Sequence, residues 1–286
     1  MMRRLILMRN YLADSPSLAV GLAMLLSLIA FGVIGRFIID AEMAEPLAAT
    51  PRLQPSTEHP FGTDDSGRDL FAVMVVGVPL TLRIGFLAGG VGLGLGTFLG
   101  FLSGYIGGKV DTIIRGTVDI LLTVPGLLVL ISIASTIREE ISVEIMALVV
   151  ASLSWMWPTR TIRAQVLSMR ERAYVDMAKL NGMGTFEIIW RELFPNLLPY
   201  LAASFAVSVS AAVLATISLE ALGLGPQNEP TVGMTIYWAI TFSALIRGMW
   251  WWWSIPIAFL VLLFVGLLLV ASGLDELANP KQRQAE

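Results

Sequence analysis

The chain has 286 residues, 56% of them hydrophobic and only 14% charged, with a mean hydropathy of +0.75. Soluble domains carry about 25% charged residues, so this composition excludes an ordinary soluble protein and indicates an integral membrane one. The net charge of -3 says little about partners, because in a membrane protein the placement of lysine and arginine carries the information. The absence of cysteine excludes disulfides, thiolate metal sites and cysteine nucleophiles, and one histidine, His59, cannot supply a multi-histidine metal centre.

Arg3, Arg4 and Arg9 precede an apolar run over residues 18–39. At about twenty residues it can cross about 30 Å of hydrocarbon, and no small-residue cleavage site follows, so it reads as a retained first span behind a cytoplasmic segment, residues 1–17. Arg36, near its outer end, is expected to snorkel or to pair with Asp40. Residues 40–80 read as an extracytoplasmic loop, polar as far as about residue 70 and containing His59-Pro-Phe-Gly-Thr-Asp-Asp-Ser-Gly-Arg-Asp69. Gly62 and Gly67 beside Asp64 and Asp65 are turn chemistry, and the spacing is not that of a calcium-binding EF-hand loop.

The second span, expected over residues 81–105, carries glycines on one helical face: Gly85 and Gly89, then Gly92, Gly96, Gly100, Gly104 and Gly108. Such a face admits a neighbouring helix at close range, either inside the chain or at a subunit or pathway interface. Gly107-Gly108-Lys109 resembles the end of a phosphate-binding loop but fails it, with Ser103 where the first glycine belongs and Val110 where Ser or Thr belongs. A third span is expected over 113–135, with a kink at Pro125 and an ion pair between Asp119 and Arg115. A fourth, short span covers 145–157, a fifth, rich in Ala and Ser, covers 200–222 with Glu220 at its outer end, and a sixth covers 255–272. Between the last two lies an outer segment whose apolar stretch 234–245 is too short to span. Four consecutive tryptophans, Trp250 to Trp253, read as an aromatic belt at headgroup level. Residues 275–286 form a polar tail.

One long charged segment, residues 160–199, interrupts the apolar runs. Within it Ala173 to Leu180 favours helix, Gly182 or Gly184 can take the left-handed position after it, Thr185 can cap a second short helix, Glu187 falls in that helix's first turn, and Pro195 is expected to end it. The outer segments hold only Arg52, Arg68, Arg138 and Arg247 among nineteen basic residues, while Lys109, Arg115, Arg160, Arg163, Arg170, Arg172, Lys179, Arg191, Lys281 and Arg283 join the N-terminal arginines on the other side. The positive-inside rule therefore predicts six spans with both termini and the charged segment in the cytoplasm.

Asp176-Met-Ala178, then Gly182, then Phe194-Pro195 resembles the EAA signature of ABC importer permeases, with Ala178, Gly182 and Pro195 matching and Asp176, Met177, Glu192 and Phe194 departing from it. The 59–69 run, Gly104-Tyr-Ile-Gly-Gly-Lys-Val-Asp111 with Val118-Asp-Ile-Leu-Leu-Thr-Val-Pro125, and Leu274-Asp-Glu-Leu-Ala-Asn-Pro280 are similar to segments of the second permease in dipeptide, oligopeptide and nickel importers. The resemblance implies an all-α, six-span fold like that of type I ABC importer permeases, with a five-helix core over 81–274. It implies a homologous permease, two ABC ATPase subunits and an extracytoplasmic binding protein as partners in the inner membrane, with no nucleic acid. ATP and magnesium would be bound by the ATPases, no cofactor or metal by this chain. It assigns ATPase coupling to the loop carrying Ala173, Tyr174, Asp176, Met177, Ala178, Gly182, Gly184 and Pro195, and leaves the substrate-binding residues unassigned. Peptides are the expected substrate, with nickel complexes or oligosaccharides as alternatives. An intramembrane protease would need a nucleophile and base or a metal cluster within the spans, and a secondary transporter would need charged or broken helices near the midplane, where only Asp119 comes close.

Overall fold

In a bilayer the backbone must satisfy its own hydrogen bonds, so a chain of this composition spans as helices or as a closed barrel. The computed structural model describes residues 15–278 and takes the first course: among these residues the only strand-like pairing is one bridge between Thr63 and Asp69. Arg3, Arg4, Arg9, Lys281 and Arg283, and the end of the 274–280 motif, lie outside the described residues.

Helix α1 (Pro16–Gly35) opens with proline in its first turn, where a missing N–H removes no bond. Helix α2 (Leu70–Phe101) continues through a wide turn, Leu102–Ile106. It begins well before the expected residue 81, so the loop ends at Asp69. The reason is a cap: the Asp69 carboxylate accepts the N–H groups of Phe71 (2.8 Å) and Ala72 (3.0 Å), and the apolar run behind it carries helix through Gly77 and Pro79. The expected third span is two helices, α3 (Gly108–Leu121) and α4 (Gly126–Thr136), bent by 83° at a break before Pro125. Proline drives the residue before it out of helical geometry, so the anticipated kink becomes an interruption.

Helix α5 (Val143–Ser154) is twelve residues, about 18 Å, too short to cross alone. It passes at Trp155 into α6 (Met156–Met169), because Pro158 cannot donate to the carbonyl of Ser154. Arg160 and Arg163, expected in a charged loop, therefore sit on a helix. Then follow α7 (Ala173–Leu180), α8 (Thr185–Ile188), a wide turn Ile189–Leu193, α9 (Phe194–Glu220), α10 (Val232–Thr241) and α11 (Trp250–Ala278). Among the described residues four helical stretches, Pro16–Gly35, Leu70–Ile106, Thr185–Glu220 and Trp250–Glu276, are long and apolar enough to cross a membrane, and the bent α3–α4 pair reaches that length and apolarity only when its two halves are taken together. The protein is an all-α, multi-pass membrane protein.

Helix α2 is the axis of the bundle, and its glycine face is filled from within the chain. A Cβ at Gly92 would stand 2.5 Å from Cβ of Ser154, one at Gly96 2.6 Å from Cβ of Pro158, and ones at Gly100 and Gly104 2.9 Å from Ile162 and Val166. Gly85 and Gly89 face Val213 and Val209 of α9 in the same way. Of the two readings of this ladder, internal packing against α5, α6 and α9 is the one realised. Gly108 is not part of it, being the first residue of α3, with open space around it.

At the opposite end from the 170–195 segment, the loop before α2 is tied down by polar groups. His59 Nδ1 lies 2.6 Å from Asp69 Oδ2, and Asp64 accepts the N–H groups of Ser66 (2.8 Å) and Arg68 (2.9 Å). Burial pushes the Asp64 carboxyl above its usual range, against those N–H bonds and the Arg68 charge. Asp65 bridges Arg52 (2.5 Å) and Arg247 (2.6 Å), and the Arg68 guanidinium stacks 3.7 Å from the Trp238 ring centre. The four tryptophans do not act as a belt: Trp251 and Trp252 are buried, Trp251 donating from Nε1 to the Thr63 carbonyl (3.1 Å), and only Trp250 is largely exposed. The loop folds over them, and buried indoles serve as its floor. Among the described residues neither the Asp119–Arg115 pair nor the Arg36–Asp40 alternative to snorkelling forms. Asp40 instead accepts the Glu42 N–H (3.1 Å), leaving Arg36 without it, and Asp119 makes no bridge to Arg115.

This packing predicts an asymmetry along α2. Gly96→Leu should destabilise the folded protein in detergent by about 1–3 kcal/mol, the usual cost of overpacking. Gly94→Ala, with nothing within 4 Å of the new Cβ, should not lower the unfolding midpoint and should raise it slightly, by the helix-propensity gain of about 0.5–1 kcal/mol.

Candidate functional site

The 170–195 segment is built as two short helices around one left-handed residue. Helix α7 spans residues 173 to 180 as its sequence predicts, and ends in a Schellman motif. Gly182 donates to Lys179 O (3.0 Å), Met183 donates to Ala178 O (3.1 Å), and Gly182 has φ +77°. No atom lies within 4 Å of a Cβ placed there, so Gly182 is required by its backbone angle and not by lack of room. Gly184 plays another part than expected. Its φ of -74° is ordinary, it stands as the N-cap of α8, and Thr185, expected to be the cap, is already inside the helix. Glu187 is in the first turn as predicted and pairs with Arg191 at 2.6 Å.

The larger correction concerns Pro195. It does not end the second helix but sits in the first turn of α9, where its missing N–H is tolerated. The wide turn Ile189–Leu193, closed by the Phe194 N–H to Ile189 O, joins α8 to α9. From Thr185 to Glu220 the chain is one continuous helical path.

Two faces of the hairpin have opposite roles. Val175, Ala178, Ile188 and Leu193 are buried in a cluster with Leu93 and Phe101 of α2 and Ile162 and Val166 of α6. Tyr174 packs against the cluster, and burial raises its phenol above the usual range. Arg170 donates to the Gly104 carbonyl (3.0 Å), and Arg163 grips Asp111 with two bonds (2.5 and 2.7 Å), to which the Ser103 hydroxyl adds a third. The hairpin is thus fastened to α2 and α6, and α6 in turn to α3. Its other face offers Ala173, Asp176, Met177 and Leu180 to the surroundings, Leu180 being 80% exposed, with Asp176 held by Lys179 (3.1 Å). Of the eight residues singled out in this loop, Ala178 and part of Tyr174 hold it in place, Gly182 turns it, and Ala173, Asp176 and Met177 are presented outward. Gly184 and Pro195 begin helices.

A second feature escaped the sequence reading. A cavity of about 420 Å³ opens between α3–α4, α5–α6 and α9, and a smaller one of about 160 Å³ adjoins it, the two sharing Trp157, Pro158, Val207 and Ser208. Helix α9 lines them with Ser204, Ser208, Ala211, Ala215 and Ser218, one stripe at helical spacing. The small residues of α9 that do pack, Ala206, Val209, Ala212 and Val213, lie on other faces. The Ala and Ser richness of this span was the available signal, but composition does not tell a packed face from an open one. Near the far end, buried Glu220 accepts the Thr231 hydroxyl (2.8 Å), Thr231 caps α10 through the Met234 N–H (3.1 Å), and Thr81 of α2 accepts the Val232 N–H (3.0 Å). These bonds fix α10 over that end of the bundle. Among the described residues no group of three or more His, Cys, Asp or Glu side chains is placed to hold a metal ion.

Residues 96–284 match the family described as binding-protein-dependent transport system inner membrane component. The chain is 31% identical over 264 residues to the dipeptide transport system permease protein DppC of Bacillus subtilis, covering 92% of this chain and 82% of that one. It is 31% identical over 232 residues to the probable D,D-dipeptide transport system permease protein DdpC of Escherichia coli, with 80% and 76% covered. It is 29% identical over 229 residues to the oligopeptide transport system permease protein OppC of Mycobacterium tuberculosis, with 80% and 78% covered.

The turn geometry carries its own test. Gly182→Ala, forcing a side chain into left-handed backbone, should cost about 1–2 kcal/mol, whereas Gly184→Ala should cost less, about 0.5 kcal/mol, from the weaker N-cap of α8 alone. Hydrogen exchange of the α7 amides should quicken in the first variant and stay as in the parent in the second.

Proposed function

Because the chain belongs to the family of binding-protein-dependent transport system inner membrane components, we propose that it is one of two homologous permease subunits of an ATP-driven importer, and that its cargo is di- or oligopeptides. Peptides are favoured over nickel complexes or oligosaccharides because the relatives compared are dipeptide, D,D-dipeptide and oligopeptide permeases. In this reading the charged hairpin and both termini face the cytoplasm, by the bias of basic residues, and the 40–69 loop meets a loaded binding protein outside. ATP and magnesium belong to two ATPase subunits, this chain having no phosphate-binding loop and no catalytic role.

The observation that carries the proposal is the unbroken helical path from Thr185 to Glu220. One end of it belongs to the hairpin whose outward face would seat in the ATPase. The other carries the stripe that lines the open cavities. A helix is stiff along its axis, so displacement of the hairpin when the ATPases close must move the lining stripe. Nucleotide and loaded binding protein then bias one two-state element, as coupled transport requires. The hydroxyl and methyl lining suits a molecule that is passed along, since tight grip would hinder release.

In vesicles holding both permeases, both ATPases and the binding protein, peptide uptake should require ATP. Uptake by the permeases alone would overturn the reading. Met177→Asp with Leu180→Asp should weaken ATPase association about tenfold or more, the scale of losing a buried apolar anchor, while the permease still folds and inserts. Undiminished co-purification with the ATPases would remove the hairpin from the coupling role.

A further inference from the structure

We infer that Asp275 is a specificity-determining residue of the pathway, favouring peptides that carry an additional ammonium or guanidinium group. The inference rests on the importer reading above. The two adjoining cavities follow α9 from Ser218 to Tyr200, about 27 Å at 1.5 Å per residue, which is close to the hydrocarbon thickness of a bilayer. Together they line a face that runs nearly across the membrane. Among the described residues lining them, Asp275 is the single one with a formal charge at neutral pH. It stands at the cytoplasmic end, beside Tyr200, Ser204 and Thr161.

Fold stability does not account for an acid at this point. Asp275 lies in the last turn of α11, where the helix dipole disfavours an anion, and that turn contains no basic residue. Its neighbour Glu276 occupies the same unfavourable turn, but its carboxylate accepts the hydroxyls of Ser15 (3.0 Å) and Ser17 (3.2 Å) at the start of α1, where a dipole favours it. Asp275 forms no hydrogen bond or ion pair with any described residue and points into the cavity mouth. The local potential there is negative from two sources, the carboxylate and the helix end, and no described residue along the rest of the lining opposes it. An exposed carboxylate that no described residue engages attracts a cation without retaining it, which a release point needs.

The test uses the complete transporter in proteoliposomes and reads a ratio: the uptake rate of a lysine-containing peptide over that of its glutamate-containing counterpart, at saturating loaded binding protein. A general loss of folding or assembly cancels in that ratio. Asp275→Asn should lower it about fivefold, the factor an exposed ion pair supplies, Asp275→Lys should lower it further, and Asp275→Glu should restore it. A ratio that stays at the parental value in both the Asn and Lys variants overturns the inference while leaving peptide import intact. If the parent complex imports neither peptide, the import reading itself falls and this inference with it.

Discussion

Helices in a bilayer gain little by hiding apolar surface from a solvent that is itself apolar, so the bundle depends on how closely its backbones can approach. Helix α2 answers this with a face of bare backbone. Gly92, Gly96, Gly100 and Gly104 accept Ser154, Pro158, Ile162 and Val166 against the main chain, and Gly85 and Gly89 accept Val213 and Val209. Two packing surfaces, α5–α6 and α9, are thereby held on one central rod. The interruption between α5 and α6 at Trp155 falls where Gly92 and Gly96 meet them, so the break is braced by contact.

From this contact the position of the hairpin follows. Helix α6 runs along α2 to Met169, and the cluster of Ile162 and Val166 with Phe101 extends to Val175, Ala178, Ile188 and Leu193. Arg163 to Asp111 and Arg170 to the Gly104 carbonyl add charge-assisted bonds at the same level. The hairpin is therefore an extension of the packed bundle, with one face committed inward and the other left free for a partner. Its direct continuation into α9 makes the transmitting and lining elements one piece.

At the other end the polar groups do structural work. Asp69 caps α2 and meets His59, Asp64 orders a turn, Asp65 joins two arginines, and Glu220 anchors α10 through Thr231. With these carboxylates committed, the loop presents a set shape above α2. Asp275, at the opposite end, has no such duty among the described residues.

Much of this was determined by the sequence alone. The membrane class, the residues of α7 and a left-handed turn at Gly182 or Gly184 follow from composition, propensity and capping, which act over a few residues, and the fold settled that turn on Gly182. Long-range choices were decided only by tertiary structure. Whether the glycine face meets a neighbour inside or outside the chain, whether Asp119 or Asp111 takes an arginine, whether four tryptophans face lipid or a loop, and whether Pro195 closes one helix or opens the next all depend on what lies across from them. Those partners are tens of residues away in the chain. A residue's type records what it can do locally, and packing selects among the options because a close approach or a buried charge is favourable only when the matching surface arrives.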